Sequence, residues 1–143
     1  MGNYDAAFKR AGIVRVPTLS RMFDCAELMA KQPRPARARL AILTNGGGVG
    51  ALSVDHLYEQ GGTLATLSEP TRDALDRILP VGWSRTNPVD LLTDIDADRY
   101  AATIDALLAD PGNDALLAVN VPTVLSSSSE AAHAVTRVLS QRP

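Results

Sequence analysis

One stretch, residues 39–62, constrains the fold of this 143-residue chain more than any other. It begins with RLAILT, an almost wholly apolar run that is typical of a strand buried on both faces. NGGGVG follows, and its four glycines can adopt backbone conformations that are closed to other residues. Apolar residues then recur at roughly helical spacing until Gly61 and Gly62. The pattern predicts a strand, a glycine turn and a helix.

The glycine turn has two interpretations. Free N–H groups at a helix start, together with the helix dipole, attract anions, and glycines let a phosphate approach the backbone. Similar turns also join strands to helices simply because the packing is tight. The turn lacks the Lys-Ser/Thr of a P-loop and matches the dinucleotide-binding fingerprint only loosely, so nucleotide binding is weakly supported. The turn by itself leaves anion binding and a structural role open.

Helical and strand-like patterns alternate along the rest of the chain. Further helices are predicted near residues 4–10, 19–30, 71–79, 97–108 and 129–140, and further strands at 13–16, 63–67 and 115–121. Residues 81–90 read as irregular, and the Pro/Arg-rich residues 33–38 read as an exposed linker. The alternation predicts a mostly parallel sheet covered by helices on both faces. The loops at 45–50, 87–90 and 122–128 should then share one edge of the sheet, where a ligand would bind.

Composition excludes several classes of function. A net charge of −2 and a pI near 5.6 give no electrostatic footprint for nucleic acid or an anionic membrane. No apolar run approaches the length of a membrane-spanning helix, and the single cysteine fits a reducing, cytoplasmic compartment. The two histidines and the cysteine lie far apart in sequence, so no metal-ligand spacing is present.

Two longer segments resemble a known family. ILTNGGGVGALSVDHL and LPVGWSRTNPVDLLTDIDADRYAATIDALLADPGNDALLAV are similar to nucleoside-diphosphate-forming acyl-CoA synthetases, relatives of succinyl-CoA synthetase. The resemblance implies that residues 39–143 form a CoA-ligase-type, flavodoxin-like domain with a three-layer α/β/α architecture and a short sheet, expected to be truncated at its C-terminus. Residues 3–32 resemble the closing helix–strand–helix of a preceding ligase domain, joined by the linker 33–38.

The resemblance also implies a chemistry. In the family, an acid–thiol ligase reaction moves a phosphoryl group between an acyl phosphate, a histidine and ADP or ATP, and the phosphohistidine is held between two helix N-termini. The residues that match a phosphate-binding loop are Asn45, Gly46, Gly47, Gly48 and Val49, and those that match a motif lining the site are Asn87, Pro88 and Asp90. The second motif can also be read as a turn in which Asn and Asp bond the backbone.

The chain departs from the family's complete pattern. The reactive histidine belongs upstream of this segment, and His56 and His133 are predicted to be surface residues, so no catalytic residue is expected here. CoA, ATP or ADP, and Mg²⁺ are implied for the complete enzyme, with none bound tightly by this chain. Its expected partners are phosphate and the CoA-binding, first ligase and ATP-grasp domains or subunits, and a homodimer is possible. The 143 residues alone are expected to be inactive.

Two other functions compete with a synthetase fragment. One is a non-catalytic domain that senses CoA or an anion in a synthetase-like protein lysine acetyltransferase. The other is a free-standing flavodoxin-like module that binds phosphate. Neither the acid that is activated nor the choice between adenine and guanine nucleotides can be read from these residues.

Overall fold

The computed structural model describes residues 3–92, 95–123 and 127–142. These residues divide into two compact units, Met1–Arg34 and Pro35–Pro143. The boundary between the units lies inside the Pro/Arg-rich stretch at residues 33–38.

The first unit consists of two helices, α1 (Asn3–Arg10) and α2 (Leu19–Lys31). Helix α2 begins where the Thr18 hydroxyl accepts the N–H of Arg21 at 3.2 Å, which is ordinary N-cap chemistry. The predicted strand at residues 13–16 is wrong, because these residues form neither helix nor strand. A strand requires a hydrogen-bonded neighbour, and the described part of this unit contains no second strand to pair with it.

The second unit contains a parallel sheet of four strands: β1 (Arg39–Thr44), β2 (Thr63–Leu64), β3 (Val89–Asp90) and β4 (Ala115–Val119). Strand β1 is central. Strand β4 pairs with β1 from Leu40 to Thr44. Strands β2 and β3 share the opposite side of β1, where β2 pairs with its first residues and β3 with its last two.

Two strand predictions in this unit require correction. The sequence predicts that residues 81–90 are irregular, but 89–90 form β3, and the strand predicted at 63–67 is paired only at 63–64. Both differences have the same reason. A residue belongs to a strand only where its backbone pairs with β1, and local sequence does not show where that pairing begins and ends. The predicted strand at 115–121 forms over 115–119.

Four helices complete the second unit: α3 (Gly47–Glu59), α4 (Glu69–Ile78), α5 (Ala97–Leu108) and α6 (Ser128–Ser140). Helix α3 packs against β1 and β2, whereas α5 packs against α4 and α6. Successive side chains of β1 point to opposite faces of the sheet: Leu43 lies in the core cluster around α5, and the methyl group of Thr44 lies against α3. The predicted three-layer α/β/α fold is confirmed.

The main hydrophobic core lies on the α5 side of the sheet. Its central members are completely or almost completely buried, and each side chain of this size stabilises the fold by about 1.5–3 kcal/mol. The core contains Leu43, Leu67, Leu75, Leu79, Trp83, Val89, Leu91, Ile95, Tyr100, Ala101, Ile104, Leu107, Ala131, Ala134 and Val138. Among the helices of the described residues, none has the length and apolar character needed to cross a membrane.

Candidate functional site at the carboxyl edge of the sheet

The carboxyl ends of β1, β3 and β4 meet at one edge of the sheet, because all of the strands are parallel. Of the segment 87–90 that the sequence places in a loop at this edge, only Asp90 ends a strand there, whereas Asn87 and Pro88 precede β3. The glycine turn follows β1, and Asp90 ends β3. The loop after β4 belongs to the same edge, although residues 124–126 of this loop lie outside the described part of the chain.

Thr44 hydrogen-bonds the backbone of the glycine turn through its side chain. Its side chain is completely buried, and Oγ1 accepts the N–H of Gly46 at 3.0 Å and lies 3.2 Å from the Gly46 carbonyl oxygen, to which it donates. A Cβ added to Gly50 would lie 2.9 Å from the Thr44 methyl carbon, so this position tolerates only glycine without a shift. Sequence reasoning did not single out Thr44. The available signal was a hydroxyl residue that ends an apolar strand directly before a glycine turn.

Asn45 connects the same turn to the loop after β4 through two hydrogen bonds with Val121. Its Oδ1 accepts the N–H of Val121 at 2.6 Å, and its Nδ2 donates to the Val121 carbonyl at 2.8 Å. A Cβ added to Gly46 would lie 2.9 Å from Cγ2 of Val121, so the backbone of Gly46 packs closely against the Val121 side chain. The Asn45 side chain is buried and both of its polar atoms are engaged, so its role is to hold the loop.

The first turn of α3 leaves two amides open. Gly46 caps the helix without a side-chain hydrogen bond, and its carbonyl accepts the N–H groups of Val49 and Gly50 at 3.0 and 3.1 Å. Among the described residues, none accepts a hydrogen bond from the N–H of Gly47 or Gly48. A Cβ added to Gly48 would meet nothing within 4 Å. The donors available to an anion are therefore the amides of Gly47 and Gly48, whereas the amide of Val49 is engaged within the helix.

Asn87 takes the place of a strand residue beside β1. Its Oδ1 accepts the N–H of Ile42 at 2.9 Å, and its Nδ2 donates to the carbonyls of Leu40 and Ala65, each at 2.9 Å. The side chain thereby bonds the backbone of β1 between the residues that pair with β2 and those that pair with β3. The peptide bond from Asn87 to Pro88 is cis. Asn87 thus supports the edge from within the sheet.

Pro88 and Asp90 approach the start of α3. A Cβ added to Gly50 would lie 3.6 Å from Cβ of Pro88. Asp90 accepts the N–H of Leu92 through Oδ1 at 2.9 Å, and its Oδ2 lies 2.8 Å from where a Cβ on Gly47 would stand. The structure therefore places the Asp90 carboxylate directly beside the open end of α3.

The histidines are surface residues, as predicted. His56 lies in α3, where its Nδ1 is 3.5 Å from a carboxylate oxygen of Glu59, and His133 is exposed on α6. In the parts of the chain that the structure describes, no group of three or more His, Cys, Asp or Glu side chains could hold a metal ion. The Mg²⁺ that the family resemblance implies therefore finds no fitting set of protein ligands among these residues.

The amino edge of the sheet is chemically different, because its charges are paired. Arg39 begins β1 and binds Asp114, which precedes β4, through Nε–Oδ2 at 2.8 Å and a second nitrogen–Oδ1 contact at 3.0 Å. This hydrogen-bonded pair lowers the pKa of Asp114 and raises that of Arg39. The arrangement joins β1 to β4 and leaves the carboxyl edge as the side with open donors.

Asp110 is a buried carboxylate, and it too has a structural role. Its oxygens accept the N–H groups of Ser68 at 3.0 Å and Gly112 at 2.7 Å. Burial by itself would raise the pKa of Asp110, but the hydrogen bonds to the charged form outweigh burial, and the pKa lies below its usual value. Asp110 thereby ties the start of α4 to the turn before β4.

Comparison with known proteins gives consistent relatives, although no protein-family model matches the chain. The chain is 36% identical over 131 residues to the alpha subunit of acetate–CoA ligase [ADP-forming] II from Pyrococcus furiosus, covering 92% of this chain and 28% of that protein. It is 32% identical over 120 residues to 4-hydroxybutyrate–CoA ligase [ADP-forming] from Nitrosopumilus maritimus, covering 84% of this chain and 17% of that protein.

A solved structure agrees with these sequence relatives. The dinucleotide forming acetyl-coenzyme A synthetase 1 of Ca. Korarchaeum cryptofilum, in complex with phosphate and ADP, superposes with a TM-score of 0.90 at 28% identity. The match covers 96% of this chain and 30% of that one, so the chain spans less than a third of the length of these relatives. Sequence and structure together identify the chain as a CoA-ligase-type segment of the ADP-forming acyl-CoA synthetase family.

Proposed function

We propose that this chain is part of an acyl-CoA synthetase, an acid–thiol ligase, in which the glycine loop stabilises a phosphohistidine formed on another part of the protein. The observation that carries the proposal is the pair of open amides, Gly47 and Gly48, at the N-terminus of α3. They stand at the sheet edge where α/β proteins bind ligands. The described residues around them include no histidine, so the phosphorylated group comes from elsewhere.

The physical basis is preorganisation. A phosphoryl group carries charge on its terminal oxygens, and backbone N–H donors that are already aimed at this charge stabilise it without reorganising. Thr44 and Asn45 hold the loop before any ligand arrives, since their polar atoms are bonded to Gly46 and Val121. The positive end of the α3 dipole acts in the same direction.

CoA, ATP or ADP, and Mg²⁺ belong to other parts of the complete protein in this proposal. The glycine turn has no P-loop lysine, and the described residues contain no metal-ligand cluster. The partners are the remaining synthetase domains or subunits, in the cytoplasm. That a structural relative was solved with phosphate and ADP supports the assignment of phosphate chemistry to this type of enzyme.

The first unit fits the same proposal as the closing part of a preceding ligase domain. Its described residues include none that is buried, and Phe23 and Met29 on α2 are largely exposed. A segment of this size buries too little apolar surface to fold alone. None of these observations favours the two alternative functions, the acetyltransferase-linked sensor and the free-standing module.

Titration of the ¹⁵N-labelled chain with inorganic phosphate tests the loop. We expect saturable amide shifts confined to residues 46–51 and largest at Gly47 and Gly48. Gly48→Asp should abolish them, because the new carboxylate would compete for the same donors, whereas Gly48→Ala adds only a Cβ in open space and should retain them. Absent shifts at both glycines, or unchanged binding in Gly48→Asp, would contradict the proposal.

The gene that encodes this segment tests the wider assignment. We expect its flanking sequence to encode an upstream Ser-His-Thr-Gly-Ala loop. In the longer protein, phosphoryl label should accumulate on that histidine, and Gly48→Asp should reduce the labelled fraction. A substituted histidine next to an acetyltransferase domain would favour the regulatory alternative instead.

A further inference from the structure

Tyr100 on α5 carries a polar group that the fold leaves without a partner. The residue is 3% exposed and belongs to the core cluster. Among the described residues, none forms a hydrogen bond with its hydroxyl, and burial raises the pKa of this group. Phenylalanine would pack the same ring without the cost of taking an unpaired hydroxyl out of water. The hydroxyl group therefore requires an explanation other than stability.

The hydroxyl of Tyr100 reaches open space inside the fold. Among the described residues, the fully enclosed polar side-chain atom that lacks a partner is Asn120 Oδ1, so the Tyr100 hydroxyl, which also lacks one, is not fully enclosed. Tyr100 lines a cavity of about 10 Å³ between the first turns of α5 and α6. A volume of this size holds about one water-sized group. The cavity is thus the space available to the hydroxyl.

The first turn of α6 borders the same cavity and has open donors of its own. Ser127 lines the cavity and is the N-cap residue, but its side chain does not cap the helix, and its Oγ lies 2.9 Å from Oγ of Ser129. Among the described residues, none accepts a hydrogen bond from the N–H of Ser129 or Glu130. Open amides at the positive end of a helix attract negative charge.

We propose that this cavity binds one oxygen atom of a small, singly charged oxyanion, and that a short-chain carboxylate is the fitting ligand class. The Tyr100 hydroxyl and the open amides of α6 are hydrogen-bond donors, so they require an acceptor. The volume admits one oxygen, and the other ligand atoms lie at the mouth beside Ser127. Asp96 and Glu130 also line the cavity, so a second charge on the ligand would be repelled.

Tyr100 is the binding residue that distinguishes this site from an ordinary helix start. Its raised pKa keeps the phenol protonated at neutral pH, so the hydroxyl can donate to a carboxylate oxygen. The inference is independent of the proposed function, because it uses neither the glycine turn nor α3. Either can therefore fail while the other stands.

The experiment titrates the full ¹⁵N-labelled chain with sodium acetate and with sodium sulfate. We expect saturable acetate shifts at the amides of residues 128–131 and weaker binding of sulfate. Tyr100→Phe removes only the hydroxyl and should weaken acetate binding about tenfold, because a hydrogen bond to a charged oxygen is lost. It should not lower the urea midpoint of unfolding. Tyr58→Phe, on the exposed side of α3, is the matched control and should change neither quantity.

A second variant tests the charge limit without altering the core. Glu130 is exposed, so Glu130→Gln should fold normally, and it should tighten sulfate binding more than acetate binding.

Three results would overturn the inference. The first is an absence of acetate shifts at residues 128–131, and the second is equal acetate affinity in Tyr100→Phe and the parent chain. The third is sulfate binding as tight as acetate binding, with no gain in Glu130→Gln. A lower urea midpoint in Tyr100→Phe, without a change in acetate affinity, would instead give the hydroxyl a structural role and would also contradict the proposal. Phosphate shifts at Gly47 and Gly48 report on the proposed function separately.

Discussion

The two units of this chain carry the same local signals and differ in what covers their apolar faces. Helices α2 and α5 have similar lengths, a side-chain N-cap and an apolar stripe. Yet Phe23 on α2 is 66% exposed, whereas Ile104 on α5 is 2% exposed. An amphipathic pattern thus specifies which face of a helix can be buried and leaves open which element buries it.

The difference is one of available surface. The second unit brings a sheet and four helices together, so that α5 packs against α4, α6 and β4. The first unit contains two short helices, and a segment of this length cannot form a core of its own. Its helices obey the same rules of capping and periodicity without the burial that normally stabilises a helix.

The largest expected contrast comes from one leucine truncation in each unit. Leu107→Ala on α5 removes a side chain with 0% exposure and should lower the free energy of unfolding by about 2–5 kcal/mol. Leu28→Ala on α2 removes one that is 63% exposed and should change it by less than about 0.5 kcal/mol. Urea unfolding monitored by Trp83 fluorescence measures both. A large cost for Leu28→Ala would mean that α2 has a buried face in solution.

The next largest effect is expected at Asn87, whose side chain hydrogen-bonds the backbone of β1. Residues 13–16 of the first unit have no such partner strand among the described residues. Asn87→Ala should destabilise the second unit by about 2–3 kcal/mol, since it leaves the N–H of Ile42 without its acceptor inside the fold. Ser84→Ala, an exposed substitution in the same loop, is the control and should be nearly neutral. Equal denaturation midpoints for the two variants would show that the hydrogen bonds of Asn87 contribute nothing net.

A pH effect should follow from Asp110. Its pKa is lower in the folded chain than in the unfolded chain, so the carboxylate stabilises the fold above the unfolded value, near pH 4. This contribution is lost as the pH falls through the lowered folded pKa. Denaturation midpoints between pH 6 and pH 2 should therefore decline more steeply in the parent chain than in Asp110→Asn. Parallel pH profiles would contradict the assignment.

The smallest expected effects compare the two caps. The Ser68 hydroxyl accepts the N–H of Thr71 at 3.4 Å in the second unit, and Thr18 does the same for Arg21 in the first. Ser68→Ala should cost about 1 kcal/mol in cooperative unfolding. Thr18→Ala should reduce the helical signal of α2 and leave the main transition unchanged, as circular dichroism and urea titration can show. A shift of the main transition in Thr18→Ala would show that the units unfold together.

Much of the fold could be predicted because its signals are local. The run at 39–44 and the helix at 97–108 have the predicted bounds, and parallel pairing brings the carboxyl ends of β1, β3 and β4 to one edge. Strand β3 was missed because two residues between a proline and a leucine carry no periodicity. Residues 13–16 were overpredicted, because β-branched composition favours a strand without supplying its neighbour.

The sequence predicted where the candidate site lies better than it predicted what each of its residues does. Glycines after a strand indicate a helix start with open amides, and Gly47 and Gly48 have them. The side chains of Asn45 and Asn87 bind backbone groups 76 and 45 positions away in sequence, which no local pattern specifies. Thr44 differs from them, since its hydroxyl bonds Gly46 and its methyl group lies against Gly50, both close to it in sequence, so a local signal for its role was available.

The sequence by itself determined the helix stripes, the caps and the glycine turn, because each depends on backbone preference and side-chain spacing within a few residues. The tertiary structure alone decided which stripes are buried, which extended residues become strands and which amides stay open. These outcomes depend on groups from distant positions meeting in space. The Asp90 carboxylate beside Gly47 is such a meeting, formed only once β3 pairs with β1.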